Sequence, residues 1–137
     1  MQGMRPPAAG SPRRTVLLAD DHASIRGAIR SDLEELGYDV CGEAGDARGA
    51  VAAAVAHRPE LCLLDVEMPG SGITAARRIA ELVPETRVVM LTVSRERRDV
   101  SASLAAGARG FVSKDVTSAG LDAALRAVLD GELVTPA

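Results

Sequence analysis

Five short apolar runs, each followed by a segment with helical periodicity, repeat along almost the whole chain. The runs are too short for buried helices and suit buried strands. Parallel strands joined by right-handed helical crossovers form one sheet with helices on both faces. The pattern therefore predicts an α/β fold with a five-stranded parallel sheet and five helices. The predicted elements are strand 15–19, helix 24–36, strand 38–44, helix 46–57, strand 61–65, helix 73–83, strand 87–92, helix 95–106, strand 109–113 and helix 117–130.

The composition excludes several classes of function. Of 137 residues, 47% are hydrophobic and 26% charged, which is ordinary for one globular domain. A net charge of −3 and only two aromatic residues argue against direct nucleic-acid contact by this chain, and no apolar run is long enough for a membrane span. We expect a disordered tail at 1–14, one domain at 15–131 and the start of a C-terminal linker at 132–137.

Polar residues end four of the five predicted strands. Asp20 and Asp21 follow the first strand, Asp65 ends the third, Thr92 ends the fourth, and Lys114 comes just after the fifth. Ligands of open α/β sheets bind outside the carboxyl ends of the strands, so these side chains are expected at one edge. Lys114 is the only lysine among 16 basic residues. This suggests a position that needs the compact ammonium group of lysine and that the planar guanidinium group of arginine would not fit.

This set of side chains suits phosphoryl chemistry. Neighbouring carboxylates repel one another unless a cation neutralises them, and Mg²⁺ prefers carboxylate, water and phosphate oxygens. The sequence has no glycine-rich loop of the kind that binds the phosphates of a nucleotide, which argues against a nucleotide as the phosphoryl donor. The remaining simple possibility is that an aspartate acts as the nucleophile and forms an aspartyl phosphate. Each residue alone also has a structural explanation: a solvated turn for the acidic pair, a strand residue for Thr92, a surface cation for Lys114.

Taken together, the motifs resemble the receiver domain of response regulators, over about 15–131. They are the Asp20-Asp21 pair, LLDVEMPG with Asp65, VVMLT with Thr92, and GFVSKD with Lys114. The runs GEAGDARGAV, GARGFVSKD and LRAVLDGE resemble receivers of NarL/LuxR-type transcription regulators. The resemblance implies a CheY-like, flavodoxin-like sheet with strand order 2-1-3-4-5, acting in two-component signal transduction in the cytoplasm.

The resemblance also implies a phosphoacceptor and a metal site. Asp65 would accept the phosphoryl group. Mg²⁺ would be held by Asp20, Asp21, Asp65 and the backbone carbonyl of Glu67, with Asp21 the more direct ligand of the acidic pair.

Five residues would act around the phosphoryl group. Lys114 would pair with the acceptor and then with the phosphoryl oxygens. Thr92 would move to hydrogen-bond a phosphoryl oxygen, and Phe111, at the aromatic switch position, would rotate inward behind it. Glu67 and Ser94 would flank the path of the hydrolytic water. Asp115 follows Lys114 where many receivers have proline, often with a cis bond, so the local backbone geometry stays open.

The implied partners are a sensor histidine kinase and, on phosphorylation, a second copy of the chain. The chain would be no enzyme beyond its own phosphorylation and dephosphorylation, and its output would be transcription through a LuxR-type DNA-binding domain absent from it. One alternative is a stand-alone receiver that acts by binding a protein partner. Another is a haloacid-dehalogenase-like phosphatase, which is disfavoured because that family begins with an Asp-x-Asp-x-Thr nucleophile motif and places its acidic pair last.

Overall fold

The computed structural model describes residues 14–93 and 97–135. Five parallel strands form one sheet in the order β2-β1-β3-β4-β5, which confirms the implied topology. All predicted elements are present, with ends within two residues of the prediction. The bounds are β1 (Thr15–Ala19), α1 (Ala23–Glu35), β2 (Asp39–Ala44), α2 (Ala47–His57), β3 (Leu61–Asp65), α3 (Gly72–Leu82), β4 (Arg87–Thr92), α4 (Arg97–Ala105), β5 (Gly110–Ser113) and α5 (Ser118–Leu129).

Three predictions fall on parts of the chain outside these described residues. They are the tail over residues 1–13, the role of Ser94, and the start of the fourth helix at Arg95.

The alternation of side chains along the strands builds two core layers. In β1, Val16 and Leu18 pack in a cluster with α1 and α5, whereas Leu17 and Ala19 pack in a cluster with α2 and α3. Successive residues of a strand point to opposite faces of the sheet, so a strand can contribute side chains to both core layers. Full burial of one leucine or valine contributes about 1.5–3 kcal/mol, so the two layers hold the sheet between the helices.

Helix ends carry the residues that favour them. The Asp46 side chain accepts a hydrogen bond from the Gly49 N–H at 2.7 Å at the start of α2, and Thr117 does the same for the Gly120 N–H at 3.0 Å at the start of α5. Such caps satisfy amides that have no partner within the helix and contribute about 1 kcal/mol each.

The strand register brings the carboxyl ends of the strands to one edge. Ala19 of β1 pairs with Leu64 of β3, and Thr92 of β4 pairs with Ser113 of β5. The residue that follows each of these strand ends in the sequence therefore lies at the same end of the sheet. None of the described peptide bonds is cis, so the Lys114–Asp115 bond is trans. Within the described ranges, no helix is both long and apolar enough to span a membrane.

Candidate functional site

A cluster of acidic side chains lies at the carboxyl edge of the sheet. Asp20 and Asp65 follow or end the adjacent strands β1 and β3 and are 0% and 3% exposed. A ligand atom from each of Asp20, Asp21, His22 and Asp65 lies within 4.8 Å of the others. Buried charges are costly unless they are paired or hold a cation, so this cluster requires a positive partner.

Asp20 is fixed by hydrogen bonds on three sides. Its N–H donates to the Ala44 carbonyl at 3.0 Å, and its carbonyl accepts from the Arg26 guanidinium at 2.6 Å. Its Oδ1 accepts from the His22 N–H at 2.9 Å. Asp21, by contrast, is exposed. The pair therefore offers one rigid, buried carboxylate and one exposed carboxylate on the same loop.

Lys114 supplies the positive partner. Its Nζ lies 2.7 Å from Oδ2 of Asp20 and 3.2 Å from Oδ2 of Asp65, and its side chain is 8% exposed. The Lys114 N–H donates to the Thr92 carbonyl at 2.8 Å, which anchors the residue to the end of β4. The only lysine of the chain is thus the cation between two buried carboxylates.

Asp65 is held at the end of β3 by its own turn. Its Oδ1 accepts a hydrogen bond from the Glu67 N–H at 3.1 Å, and the Val66 N–H donates to the Leu91 carbonyl at 2.9 Å. The first residue of α3, Gly72, touches the Asp65 backbone so closely that a Cβ there would overlap the carbonyl oxygen and lie 2.8 Å from the carbonyl carbon. The glycine lets α3 begin directly beside Asp65.

The two buried carboxyl groups differ in their proton affinity. Burial raises the pKa of Asp65, and the nearby charge of Asp20 adds to this, while Lys114 opposes it without outweighing it. Burial also disfavours the charged form of Asp20, but hydrogen bonds from Lys114 and the His22 amide prevail and hold the pKa of Asp20 below its usual value. Burial disfavours the charged form of Lys114 too, but its two carboxylate partners raise the pKa above normal.

The cluster fits a hard divalent cation. Three carboxylates face one ammonium, which leaves an excess of negative charge, and the donor atoms are mostly carboxylate oxygens. No backbone N–H of the described ranges donates to the Glu67 carbonyl, so no backbone contact competes for that oxygen. Mg²⁺ takes such oxygen donors together with water. Three of the four donors that the resemblance implies for Mg²⁺, the carboxylates of Asp20, Asp21 and Asp65, therefore lie together.

A model of the response regulator receiver domain matches residues 16–126. The chain belongs to the response regulator receiver domain family. The phosphatase alternative has no support from this match. As a receiver, the chain places its acidic cluster and its lysine at the strand ends where the sequence resemblance put them.

The comparisons also point to the NarL/LuxR type of receiver. Response regulator UvrY of Escherichia coli strain K12 is 36% identical over 119 residues, which cover 85% of this chain and 55% of UvrY. The chain spans about half the length of the curated relatives it matches. A LuxR-family response regulator from Aurantimonas sp. SI85-9A1 superimposes with a TM-score of 0.85 at 30% identity, covering 90% of this chain and 89% of the other. The receiver domain of a putative NarL from Mycobacterium tuberculosis gives 0.82 at 32% identity, covering 88% of this chain and 100% of the other.

The two predicted switch residues of this receiver domain are equally buried but lie at different distances from the carboxyl edge of the sheet. Thr92 is buried at the end of β4, beside Leu91, which pairs with Asp65. Phe111 is 3% exposed, pairs with Met90 inside the sheet, and packs in the core layer that contains α2 and α3. Thr92 is therefore at the site edge, and Phe111 lies in the core below it.

His22 also belongs to this neighbourhood, although the sequence analysis assigned it no role. Its side chain is exposed, and its Nδ1 lies 3.1 Å from Oδ1 of Asp21. An imidazole nitrogen is a poor ligand for Mg²⁺ compared with carboxylate oxygens, so we assign His22 to positioning the acidic loop. Its place directly after Asp20-Asp21 was the signal that could have found it.

Proposed function

We propose that this receiver domain is a phosphorylation switch in which Asp65 accepts a phosphoryl group from a sensor histidine kinase. The observation that carries the proposal is the position of Lys114 between the buried carboxylates of Asp20 and Asp65. An ammonium held there can neutralise the charge that a phosphoryl group brings, which lowers the barrier to transfer.

We assign the acceptor role to Asp65 because the acidic pair, Asp20 and Asp21, is the part of the cluster that we expect to hold chiefly the cation. Asp20 accepts the His22 amide and contacts the lysine more closely than Asp65 does, and Asp21 is the exposed carboxylate best placed for a cation. A carboxylate oxygen of Asp65 attacks the phosphorus of phosphohistidine in line with the leaving nitrogen. The new O–P bond forms as the N–P bond breaks, and its electron pair stays on the imidazole, which then takes a proton.

The proposal includes Mg²⁺, held by Asp20, Asp21, Asp65 and the Glu67 carbonyl. Bound there, the ion would neutralise charge on the phosphoryl oxygens during transfer. The protein residues do the rest: the Glu67 amide fixes one oxygen of Asp65, and Lys114 balances the other. Thr92 would donate its hydroxyl proton to a phosphoryl oxygen, and Glu67 and Ser94 would flank the path of the water that ends the signal.

Phosphorylation would add about −1.5 to −2 charge to an already acidic site. The expected response is movement of Thr92 toward the phosphoryl group, which alters the face formed by α4, β5 and α5 and favours a homodimer. Phe111 already has the inward position that the resemblance assigns to the phosphorylated state, so its part would be to keep that position. The chain would catalyse only its own phosphorylation and dephosphorylation. We place it in the cytoplasm, where sensor kinases present their phosphohistidine.

We further propose that the output is transcription, through a LuxR-type DNA-binding domain beyond the 137 residues. The support is that relatives such as the putative transcriptional regulator of Pseudomonas aeruginosa bear transcriptional names and are longer than this chain. The alternative output is binding of a protein partner by the receiver alone. Whether the native reading frame continues past Ala137 into a DNA-binding domain decides between them.

The chemistry can be tested with acetyl phosphate as the donor. We expect Mg²⁺-dependent labelling that hydroxylamine removes, because hydroxylamine cleaves acyl phosphates and leaves phosphoserine and phosphothreonine intact. Label that survives hydroxylamine, or that forms equally in excess EDTA, would contradict the proposal.

A further inference from the structure

The chain after α5 turns back to the outer edge of the sheet. Val134 forms a parallel bridge with Gly110 of β5. Its N–H donates to the Arg109 carbonyl at 3.0 Å, and its carbonyl accepts the Phe111 N–H at 2.9 Å. Within the described part of the chain, the only strand that pairs with β5 is β4, on the opposite side. Val134 thus closes an edge that would otherwise present unpaired backbone groups.

The turn and the side chains also favour this docked path. Gly131 has φ of +92°, a conformation that glycine adopts without strain, and the Glu132 N–H donates to the Ala127 carbonyl at 2.9 Å. Val134 packs against the core layer that contains α1 and α5, whereas Leu133 before it is 56% exposed. Val134 therefore points inward and Leu133 points outward, as successive residues of a β-strand do.

The docked segment is bonded to a strand that carries two predicted response residues. The Val134 carbonyl accepts a hydrogen bond from the Phe111 N–H, and the Phe111 side chain packs in the core layer that contains α2 and α3. Lys114, which contacts the acidic cluster, lies three residues further along the same strand and loop. A shift of the β5 backbone at Phe111 or Lys114 would therefore alter the hydrogen bonds that Val134 makes with the Arg109 carbonyl and the Phe111 N–H.

We propose that the outer edge of β5 is a docking surface for this chain's own segment 132–135, and that phosphorylation of Asp65 changes how firmly the segment is docked. The second half rests on the proposed function. The segment then links the phosphoacceptor site to the chain that continues beyond it. Such coupling requires that the segment be either docked on β5 or released, and that phosphorylation of Asp65 change the relative populations of these two states.

Amide hydrogen exchange of Phe111 measures the docking directly, because the Val134 carbonyl accepts this amide's hydrogen bond. Val134→Pro removes the N–H of residue 134, and Val134→Asp keeps it but places a charge against the core layer. We expect both variants to speed Phe111 exchange by about tenfold or more, with Val112, which pairs with Leu91 of β4, unchanged. Leu133→Asp adds the same charge at the exposed neighbour and should leave Phe111 at the wild-type rate.

Wild-type exchange at Phe111 in both Val134 variants, with a wild-type melting curve, would show that the segment is not docked. Equal acceleration in Leu133→Asp would show that the position of the charge does not matter and would overturn the docking surface as well.

The linkage is tested by measuring the same amide before and after acetyl phosphate with Mg²⁺, with phosphorylation verified by mass. We expect at least about a threefold change in Phe111 exchange in the wild type, and no change in Asp65→Asn treated in the same way. A phosphorylated wild type with unchanged Phe111 exchange would overturn the linkage alone. A wild type that gains no mass would overturn the proposed function, and with it the linkage, while the docking result stands separately.

Discussion

The Lys114 ammonium lies 2.7 Å from Oδ2 of Asp20, closer than its 3.2 Å distance from Oδ2 of Asp65. The lysine therefore pairs more closely with Asp20 than with the proposed acceptor. With Asp20 assigned to Mg²⁺, the ammonium would be left for Asp65 and its phosphoryl group. Under the proposed function, one lysine would then serve both the resting and the phosphorylated site.

Lys114→Arg should disable signalling without unfolding the domain. The lysine stem reaches between two buried carboxylates, and a planar guanidinium with fixed donors does not fit the same position, although it keeps the charge. We expect a melting temperature within about 3 °C of wild type but loss of phosphorylation-dependent dimerisation, measured by analytical ultracentrifugation with acetyl phosphate. Full dimerisation of the arginine variant would show that only the charge matters.

Lys114→Ala provides the contrast to this variant. It leaves two buried carboxylates without their cation, and breaking a buried pair in this way costs about 3–5 kcal/mol. A large drop in melting temperature for alanine, beside a small one for arginine, would separate the role of charge from that of shape.

The acidic pair should bind Mg²⁺ weakly in the absence of phosphate. Asp21 is exposed and lies within 4.8 Å of the buried acids, so Asp21→Ala should remove the heat of Mg²⁺ binding in titration calorimetry. Asp39→Ala is a matched control, because Asp39 is an exposed acid at the start of β2, at the other end of the sheet. Equal heats for wild type and Asp21→Ala would make the cluster structural.

Neutralising the two buried acids should change stability in opposite directions. Burial raises the pKa of Asp65, so its charge opposes folding near neutral pH, and the penalty disappears as the pH falls through that raised pKa. Burial opposes the charge of Asp20 too, but Lys114 and the His22 amide outweigh it and lower the pKa. Its charge therefore stabilises the fold above the unfolded pKa of about 3.9, and this contribution is lost as the pH falls through the lower, folded pKa.

In EDTA near pH 7, Asp65→Asn should accordingly melt above wild type and Asp20→Asn below it. The gain of Asp65→Asn should shrink in acid as wild-type Asp65 takes up its proton. Scanning calorimetry over a pH series measures both trends. Shifts of the same sign for the two variants would contradict the assigned charge balance.

Gly72→Ala should weaken the junction between β3 and α3. Its Cβ would overlap the Asp65 carbonyl oxygen, which belongs to backbone and cannot turn aside. We expect a loss of about 2–4 kcal/mol in the free energy of unfolding, together with slower phosphorylation. Gly27→Ala in α1 is the matched control: no atom lies within 4 Å of its Cβ, so alanine should stabilise the helix by about 0.5–1 kcal/mol. Equal urea midpoints for the two variants would contradict this account.

The strand-end residues could be predicted because their positions follow from topology. Once five parallel strands are recognised, Asp20, Asp65 and Lys114 must meet at one edge, whatever the details of packing. The sequence could not show that Lys114 lies closer to Asp20 than to Asp65, because half an ångström depends on loop geometry and side-chain rotamers.

Contacts made by loops and chain ends were harder to predict. The contact of His22 with Asp21 was not predicted, since an exposed histidine beside two acids has no sequence pattern that fixes the orientation of its ring. The bridge between Val134 and Gly110 was missed because six residues after Gly131 carry too little periodicity to indicate a strand. A single bridge is decided by the free edge of β5 and not by local propensity.

The central claim is that Asp65 is the phosphoacceptor, and intact-mass measurement after acetyl phosphate and Mg²⁺ tests it most directly. Asp65→Asn keeps the shape of the side chain and removes the nucleophilic oxygen charge. Asp39→Asn is the matched control, because it makes the same change at an exposed acid at the start of β2, at the other end of the sheet. We predict one added phosphoryl group in wild type and in Asp39→Asn, and none in Asp65→Asn. Equal labelling of Asp65→Asn and wild type would place the acceptor elsewhere and contradict the account.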